Sequence, residues 1–431
     1  MEWIALLMVA LVFILLIFGF PVAFTLAGVA TITGILTLGP EFFNFLPSRI
    51  MGVMSNYVLL AVPLFIFMGI MLEKSGMAAT LLKMMSRIFG KVNGGLGVSV
   101  IIVGTLLAAS TGIVGATVVT MGLISLPSMM ESRYNIPLAT GIIASSGTLG
   151  QIIPPSIVLI LLGTVLNVSV GNLFLGAVIP GLIIVGLYIS YVLILSWFKP
   201  EVAPPVAKEY QEEITLRSII TALLMPLVLI VAVLGSIFAG IASPTEAAAV
   251  GAFGSILLTI AAGKFRIKRL KLVARETTRL TTMVFFILIG ATTFSLVFRG
   301  LHGDDLILEL IMSTQLSPGN LMILILLIVF ILGFFIDFVE IVFIIVPIVL
   351  PILQAYDIDL LWVGILLGVN LQTSFLTPPF GFSLFYLKGV APPEVQTRDI
   401  YKGIIPFVAI QILVLIIIFN FPGLIRLLIP L

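Results

Sequence analysis

The sequence has no cysteine among its 431 residues and only one histidine, His302. Without thiols the chain forms no disulfide and no thiolate nucleophile, and a single histidine excludes a histidine-based metal cluster. Charged residues are also scarce, at 9% of the chain, against about 25% in soluble domains. A soluble enzyme, a nucleic-acid-binding protein and a disordered scaffold are excluded, because so few charges cannot form the polar surface that each requires.

Hydrophobic residues make up 61% of the chain, and its mean hydropathy is +1.31. Apolar runs of about 18 or more residues recur, which is the length of a helix that spans a bilayer. The runs lack the polar–apolar alternation of an outer-membrane barrel. The start, Met1-Glu2-Trp3, has no basic region of a signal peptide, so we interpret the first segment as a retained span. The chain is therefore predicted to be an all-α polytopic membrane protein.

Ten apolar segments have the length of one crossing of the bilayer. They cover residues 3–19, 21–38, 56–73, 138–165, 172–198, 217–239, 244–262, 281–298, 360–388 and 402–425. Two further stretches, 95–131 and 320–353, are too long for one crossing, and polar or small residues interrupt both near the middle. Each of these two stretches is either a pair of tight spans or a re-entrant hairpin.

The distribution of Lys and Arg orients the spans, because short loops rich in these residues stay in the cytoplasm. Residues 263–279 contain seven Lys or Arg against one acid, and residues 74–95 contain four, so we expect both to be cytoplasmic loops. Residues 299–319 contain three acids and are expected outside. Both long stretches must then enter and leave on one face, which favours two hairpins that open on opposite sides of the membrane.

Three proline landmarks recur at a spacing of 223 or 224 residues, which indicates an internal repeat. The pairs are Pro21 with Pro244, Leu126-Pro127 with Leu350-Pro351, and Pro154-Pro155 with Pro378-Pro379. Because the two halves start on opposite faces, the repeat is predicted to be inverted. The predicted architecture has about ten spans plus two re-entrant hairpins.

Four places inside the apolar stretches are rich in Ser, Thr, Gly or Pro or carry acids. They are the hairpin middles 109–115 and 333–340 and the segments 145–155 and 370–379. Non-helical backbone survives at membrane depth only where it is buried or lines a wet cavity. Freed carbonyls and hydroxyls are oxygen ligands that suit Na⁺, and half-helix N-termini attract an anion, so the pattern predicts a sodium-coupled carrier of an organic anion. Ordinary small-residue helix contacts and a kink without function remain alternatives.

Asp337 and Glu340 are the only acids between Asn320 and Gln354. A carboxylate at the bilayer centre costs about 2.5–3.5 kcal/mol on insertion scales and is a functional candidate. It could bind a cation, carry a proton, or cap the hairpin tip. Glu246 has a different reading, since Ser243 stands three residues before it with the spacing of a capping box.

Several motifs together resemble the large membrane subunit of tripartite ATP-independent periplasmic (TRAP) transporters. They are Gly-Phe-Pro-Val-Ala (19–23), Ser-Pro-Thr-Glu-Ala-Ala-Ala-Val-Gly-Ala (243–252), Asp337 with Pro-Ile-Val-Leu-Pro-Ile (347–352), and Thr-Pro-Pro-Phe-Gly-Phe-Ser-Leu-Phe (377–385). The resemblance implies a bacterial inner-membrane protein with an elevator mechanism, in which a transport domain slides against a scaffold. It places residues 1–94, 166–319 and 391–431 in the scaffold, including an inter-repeat linker, and residues 95–165 and 320–390 in the transport domain.

The resemblance also implies where ligands bind. The sodium sites would lie at the hairpin tips against the broken helices and involve Ser110, Thr111, Gly112, Gly147, Thr148 and Gly150 in the first half and Gly333, Asp337, Gln372, Thr373, Ser374 and Thr377 in the second. The substrate would lie between the tips, near Ser110, Thr111, Ser145, Asp337, Asn370 and Thr373. The aromatic-rich second tip resembles the branch that carries 2-oxo or 2-hydroxy acids, although dicarboxylates remain in the range.

Two partners follow from the same resemblance: a small four-helix membrane subunit and a soluble periplasmic protein that delivers the substrate. The chain is expected not to be an enzyme, since it has no catalytic constellation and no phosphate-binding loop for ATP. The alternative is a stand-alone sodium/dicarboxylate symporter, which shares the hairpins and broken helices but needs no binding protein. A membrane scaffold without transport activity would leave Asp337 and the two Pro-Pro breaks without a purpose.

Overall fold

The computed structural model describes residues 2–206, 224–379 and 381–429, and every regular element in these ranges is helical. The first half contains α1 (Glu2–Ile17), α2 (Val22–Leu38), α3 (Leu46–Met54), α4 (Ala61–Lys74), α5 (Met77–Phe89), α6 (Gly95–Thr111), α7 (Val114–Glu131), α8 (Ile136–Thr148), α9 (Ile157–Leu166) and α10 (Val170–Phe198). The second half contains α11 (Met225–Phe238), α12 (Pro244–Ala261), α13 (Ile267–Gly300), α14 (Gly303–Ser313), α15 (Pro318–Leu332), α16 (Phe338–Ala355), α17 (Leu360–Leu376), α18 (Phe382–Val390) and α19 (Thr397–Asn420). Seven helices of the described chain are long and apolar enough to cross a membrane, which agrees with the predicted all-α membrane fold.

The helix boundaries repeat at the spacing that the prolines predicted. The first arm of each predicted hairpin, α6 and α15, begins at Gly95 and at Pro318. The helices that precede the Pro-Pro pairs, α8 and α17, begin at Ile136 and at Leu360. After each Pro-Pro pair comes one short helix, α9 or α18, and then one long helix, α10 or α19. The order of elements is therefore the same in both halves.

The two halves exchange packing partners. Helix α2 packs along α13, and its counterpart α12 packs along α4. Helix α8 likewise packs along α19, and its counterpart α17 contacts α10, although less extensively than it contacts α19 and α15. Gly141 and Gly403 let the backbones of α8 and α19 touch, as small residues do in membrane proteins. This reciprocal exchange is what a two-fold pseudo-symmetry produces, and it confirms the predicted repeat.

Local sequence signals explain how several helices begin. Ser243 accepts a hydrogen bond from the N–H of Glu246 at 3.3 Å, and the Glu246 carboxylate accepts one from the N–H of Ser243 at 2.8 Å. This capping box at the start of α12 confirms the interpretation of Glu246 as a capping residue. Asn135 caps α8 in a simpler way, by accepting a hydrogen bond from the Leu138 N–H at 3.3 Å.

The basic segment 263–279 is helical from Ile267 onwards, and the prediction of a loop there was wrong. Helix α13 runs for 34 residues, about 50 Å, which exceeds the thickness of a bilayer core. Lys, Arg and Leu are good helix formers, so nothing in this segment stops the helix. Glu276 also pairs with Lys74 at the end of α4, at 3.5 Å.

The predicted spans 138–165 and 360–388 each consist of two helices, because α9 follows α8 and α18 follows α17 after a break. The segment 74–95, which we expected to be a loop, contains the helix α5, and the segment 299–319, which we expected outside, contains the helix α14. The beginning of the predicted span 217–239 and most of the inter-repeat linker lie outside the described residues. The described part of that span is α11.

Candidate functional site

The first hairpin turns at Gly112, between α6 and α7. This residue has a φ of 60°, in the left-handed region that glycine adopts without steric cost. A Cβ at this position would lie 2.9 Å from the Ile157 side chain, so the tip rests on the start of α9. On its other side the tip packs on α4, where Gly69 leaves no room for a side chain beside the backbone of Ser110 and Thr111.

The first broken helix changes course after Thr148, where α8 passes into a single 3₁₀ turn and then the Pro154-Pro155 pair. Proline has no N–H to continue a helix. The chain resumes at α9, whose first turn is capped by Ser156: its hydroxyl accepts from the Leu159 N–H at 3.4 Å and donates to the Gln151 carbonyl at 2.6 Å. A buried side chain therefore fixes the geometry of this break.

Glycines press the first break against the first hairpin. Gly147 packs on Val118 of α7, and Gly150 packs on the carbonyl of Ala108 in α6, with no room for a Cβ at either position. Gly112, Gly147 and Gly150, which the resemblance assigned to a first cation site, thus lie along one contact between tip and break.

The second hairpin turns between α15 and α16, at residues 333–337. Gly333 packs on the Ser374 side chain of α17 with no room for a Cβ, so two residues of the second predicted cation site meet. Asp337 accepts a hydrogen bond from the Phe338 N–H at 2.7 Å, and Glu340 accepts one from the Asp337 N–H at 3.1 Å. Asp337 and Glu340 form a capping box, which is the capping role that the sequence left open.

The second broken helix is fixed from two sides. Asn370 donates a hydrogen bond from Nδ2 to the Leu326 carbonyl at 2.8 Å, which ties α17 to the first arm of the second hairpin. Ser383 donates from Oγ to the Phe375 carbonyl at 2.8 Å, across the break between α17 and α18. These two side chains hold the break and the hairpin in one unit.

Most of the predicted hydroxyl ligands donate to a main-chain carbonyl of their own segment. The bonds are Ser110 to Leu106 at 2.6 Å, Ser145 to Ile142 at 3.2 Å, Thr148 to Ser145 at 2.8 Å, Thr373 to Val369 at 2.8 Å, Ser374 to Leu371 at 2.9 Å and Thr377 to Thr373 at 2.7 Å. Thr111 lies 2.7 Å from the hydroxyl of Thr117, whose own proton goes to the Ile113 carbonyl. In this arrangement these oxygens offer lone pairs to a cation and no proton to a carboxylate.

Two glutamines near the breaks have no hydrogen-bond partner among the described residues. Gln151 and Gln372 are both fully buried, and neither the oxygen nor the nitrogen of either carboxamide is bonded. The 3₁₀ turn that carries Gln151 packs against α17, which carries Gln372. An unbonded buried amide costs about 1–3 kcal/mol, so such a pair indicates a polar ligand.

Two helix N-termini near the tips lack a side-chain cap among the described residues, namely those of α7 and α18. Helix α7 touches α18 near its own start, where a Cβ on Gly115 would lie 3.0 Å from the ring of Tyr386. The Asp337 carboxylate at the second tip is also near enough to interact electrostatically with the Tyr386 hydroxyl. Unbonded N–H groups and a phenol there are groups that can bind an anion.

Sequence reasoning missed four residues of this site: Gln151, Ser156, Ser383 and Tyr386. A signal existed for Ser156, since Ser directly after a Pro-Pro pair and before an apolar run predicts an N-cap. The capping box at Asp337 also had a signal, because Glu follows Asp three residues later. No signal pointed to the unbonded state of Gln151, since it depends on what packs around the side chain.

Comparison with known proteins places the chain among transporters. The family described as "Tripartite ATP-independent periplasmic transporter, DctM component" matches residues 9–424. The C4-dicarboxylate TRAP transporter large permease protein DctM of Vibrio cholerae is 31% identical, with 96% of each chain covered. The sialic acid TRAP transporter large permease protein SiaM of the same species is 29% identical, with 95% of this chain and 94% of the relative covered.

Two further similarities concern substrate range and fold. The ectoine TRAP transporter large permease protein TeaC of Halomonas elongata is 29% identical, with 96% of each chain covered. The crystal structure of the YdaH transporter of Alcanivorax borkumensis matches with a TM-score of 0.69 over 99% of each chain, at 14% sequence identity. The second likeness supports the all-helical fold.

Proposed function

We propose that this chain, which belongs to the DctM component family of tripartite ATP-independent periplasmic transporters, couples sodium influx to the import of an organic acid. It is a polytopic protein of the bacterial inner membrane, and its relatives are transporter permeases and not enzymes. The supporting observation is the unbonded, fully buried carboxamide of Gln372 beside the contact of Gly333 with Ser374.

Sodium fits the second tip because this tip, which also carries the Asp337 carboxylate, has neutral oxygens with free lone pairs. The Gln372 carboxamide oxygen accepts no hydrogen bond among the described residues. The Ser374 hydroxyl donates its hydrogen bond to the Leu371 carbonyl, so its oxygen lone pairs are free. We assign these residues, with Gly333, Thr373 and Thr377, to one cation site. Bound Na⁺ would satisfy the oxygens and hold the tip against the break.

The first half provides a second cation site with a different composition. Gln151 has the unbonded carboxamide there, and Ser110 and Thr148 have hydroxyl oxygens with free lone pairs. Gly112 and Gly150 bring the tip and the break together without side chains between them. No acid of the described chain caps this tip, so the two sites differ in charge.

The substrate carboxylate is assigned to the region between the uncapped N-termini of α7 and α18. Main-chain N–H groups and the Tyr386 hydroxyl can donate hydrogen bonds there. The carboxylate of Asp337 is occupied by its own helix N-terminus, which reduces its repulsion of an anion. The first candidates for the acid are a 2-oxo or 2-hydroxy acid or a dicarboxylate, such as pyruvate, lactate or succinate.

The chain is assigned two partners, a small four-helix membrane subunit and a soluble periplasmic binding protein that delivers the acid. This follows from the tripartite family description, since one large permease accounts for one of three components. Movement is proposed to follow an elevator mechanism. The hairpins and broken helices form the transport domain, and the remaining helices form the scaffold.

Uptake into proteoliposomes tests the function. The vesicles hold this chain and its small subunit, and labelled pyruvate, lactate and succinate are offered with or without an inward sodium gradient and with or without the binding protein. We expect uptake of at least one acid that requires both the gradient and the binding protein. Sodium-driven uptake without the binding protein would identify a stand-alone symporter instead, and uptake unaffected by sodium would contradict the coupling.

A further inference from the structure

A cavity that the sequence did not predict lies between α3, α9, α13 and α16. Its volume is about 390 Å³. Two guanidinium side chains, Arg49 of α3 and Arg299 of α13, line it together with the polar residues Asn56, Thr164, Thr292 and Ser295. We call this space the arginine cavity.

The arginine cavity adjoins a second one of about 590 Å³, because Asn56 and Thr164 line both. No charged residue lines the second cavity, which combines apolar side chains with the polar residues Asn167, Ser169 and Asn172. No Asp or Glu of the described chain lines either cavity. The joined space therefore has a lining of mixed polarity, and its only charged lining residues within the described chain are the two arginines at one end.

Neither arginine forms an ion pair within the described chain. The ion pairs found there involve Lys74, His302 and Arg426 as the basic partners. Asp304 shares only a small neighbouring space with Arg299, without an ion pair. Both arginines are exposed, so the cavity is open on their side. Two like charges beside one cavity that no acid lines attract an anion, and guanidinium groups match the geometry of a carboxylate.

The cavity is separate from the tip site. Its lining on α16 includes Phe343 and Pro347, and Pro347 stands about 15 Å along the helix from Asp337 at a rise of 1.5 Å per residue. Its walls come from both proposed bodies, since α3 and α13 belong to the scaffold and α9 and α16 to the transport domain. An anion bound here would lie on the boundary between them.

We propose that the arginine cavity is an access site, which binds the carboxylate of the transported acid before the acid reaches the tips. The inference rests on the proposed function, because that function makes the cargo an organic anion. Arg49 and Arg299 raise the local concentration of the acid and orient its carboxylate. They take no part in sodium binding.

Thiol labelling tests the cavity without any transport step, because the chain has no cysteine. Ser295→Cys provides a reporter inside the cavity, and Ser313→Cys at the exposed end of α14 provides a control. We expect an anionic methanethiosulfonate to label Ser295→Cys faster than a cationic one by about tenfold, relative to the control. Arg49→Gln with Arg299→Gln should remove this preference, and succinate or pyruvate should slow the labelling.

The labelling is repeated in nanodiscs to distinguish the acid from a lipid headgroup. Protection by pyruvate or succinate in phosphatidylcholine discs supports the proposal. If phosphatidylglycerol slows the labelling and neither acid does, the arginines bind a lipid phosphate and the proposal is overturned. Equal labelling by the anionic and cationic reagents would also overturn it, since the cavity would then carry no effective positive charge.

Uptake kinetics separate this inference from the proposed function. We expect Arg49→Gln and Arg299→Gln each to raise the KM for the acid by about fivefold to tenfold, with kcat and the sodium dependence retained. Arg275→Gln, at the other end of α13, is the matched control and should leave KM unchanged. Sodium-driven uptake with an unchanged KM in both variants overturns the access site alone. If the wild-type protein shows no uptake, the proposed function is contradicted, and the labelling experiment alone then shows whether the arginine cavity binds a carboxylate.

Discussion

At the scale of single residues, two buried glutamines differ in their hydrogen bonding, and the difference bears on stability and on ligand binding. Gln372 has no partner for either end of its carboxamide among the described residues. Gln411 of α19 is equally buried and its Oε1 also has no partner among the described residues, but its Nε2 donates to the Tyr188 hydroxyl at 2.7 Å. A bonded amide contributes to stability, whereas an unbonded one reduces it unless a ligand is bound. Gln372 therefore has a cost in the free protein that a bound ligand would remove.

Replacement of these two glutamines should give opposite results. Gln372→Leu removes a desolvated amide, so we expect thermal stability to stay equal or to rise by about 1 kcal/mol while sodium-dependent uptake falls at least tenfold at limiting sodium. Gln411→Leu should lower stability by about 1–2 kcal/mol and leave the sodium dependence unchanged, because it removes a bonded donor beside Tyr188. Thermal melts and sodium titrations of uptake measure both. A Gln372→Leu protein with wild-type sodium dependence contradicts the second cation site.

Asp337 combines a structural and an electrostatic role, and one substitution separates them. Asparagine is as good an N-cap as aspartate, so Asp337→Asn should keep the start of α16 intact, with normal insertion and stability. We expect uptake at limiting sodium to fall strongly, because the negative charge near the second tip is lost. Glu246→Gln, in the capping box of α12, is the matched control and should transport normally. Unchanged uptake by Asp337→Asn would leave capping as its whole role.

At the scale of elements, the contacts between tips and breaks depend on glycine. Gly150 touches the Ala108 carbonyl, so Gly150→Ala forces α6 away from the break. We expect a loss of stability of about 1–3 kcal/mol and a lower sodium affinity, as for other overpacked contacts. Gly186→Ala in α10 meets nothing within 4 Å and should be neutral. Equal melting temperatures for the two variants would show that tip and break are not held together tightly.

The same elements show how much of the fold can be predicted from the sequence. Prolines, glycines and apolar length predicted the repeat, the hairpin turns near Gly112 and Asp337, and both broken helices, because each of these signals acts locally on the backbone. The prediction of a loop at 263–279 was wrong, because a cluster of Lys and Arg predicts that a segment is exposed but does not end a helix. Gln151, Tyr386 and the arginine cavity could not be predicted, because they depend on which distant segments pack against each other.

At the scale of the whole molecule, the elevator proposal divides the chain into two bodies that must slide past each other. Several hydrogen bonds cross this boundary, and the one that joins the first hairpin to α4 runs from the Thr120 hydroxyl of α7 to the Glu73 carboxylate at 3.0 Å. Another close pair stays within the proposed scaffold, where Lys264 donates to the Thr80 hydroxyl at 3.2 Å. A covalent link across the first pair would join the two bodies, and a link across the second would not.

Crosslinking tests the division, since the absence of native cysteine leaves introduced pairs as the only reactive thiols. Glu73→Cys with Thr120→Cys, joined by a short thiol crosslinker, should abolish uptake, because the transport domain can no longer slide. Thr80→Cys with Lys264→Cys should crosslink equally well and retain uptake. Each double variant without crosslinker provides its own baseline for the loss of the native bond. Full uptake by the crosslinked Glu73–Thr120 pair would mean that α4 and α7 move as one body, and the boundary between scaffold and transport domain would have to be drawn elsewhere.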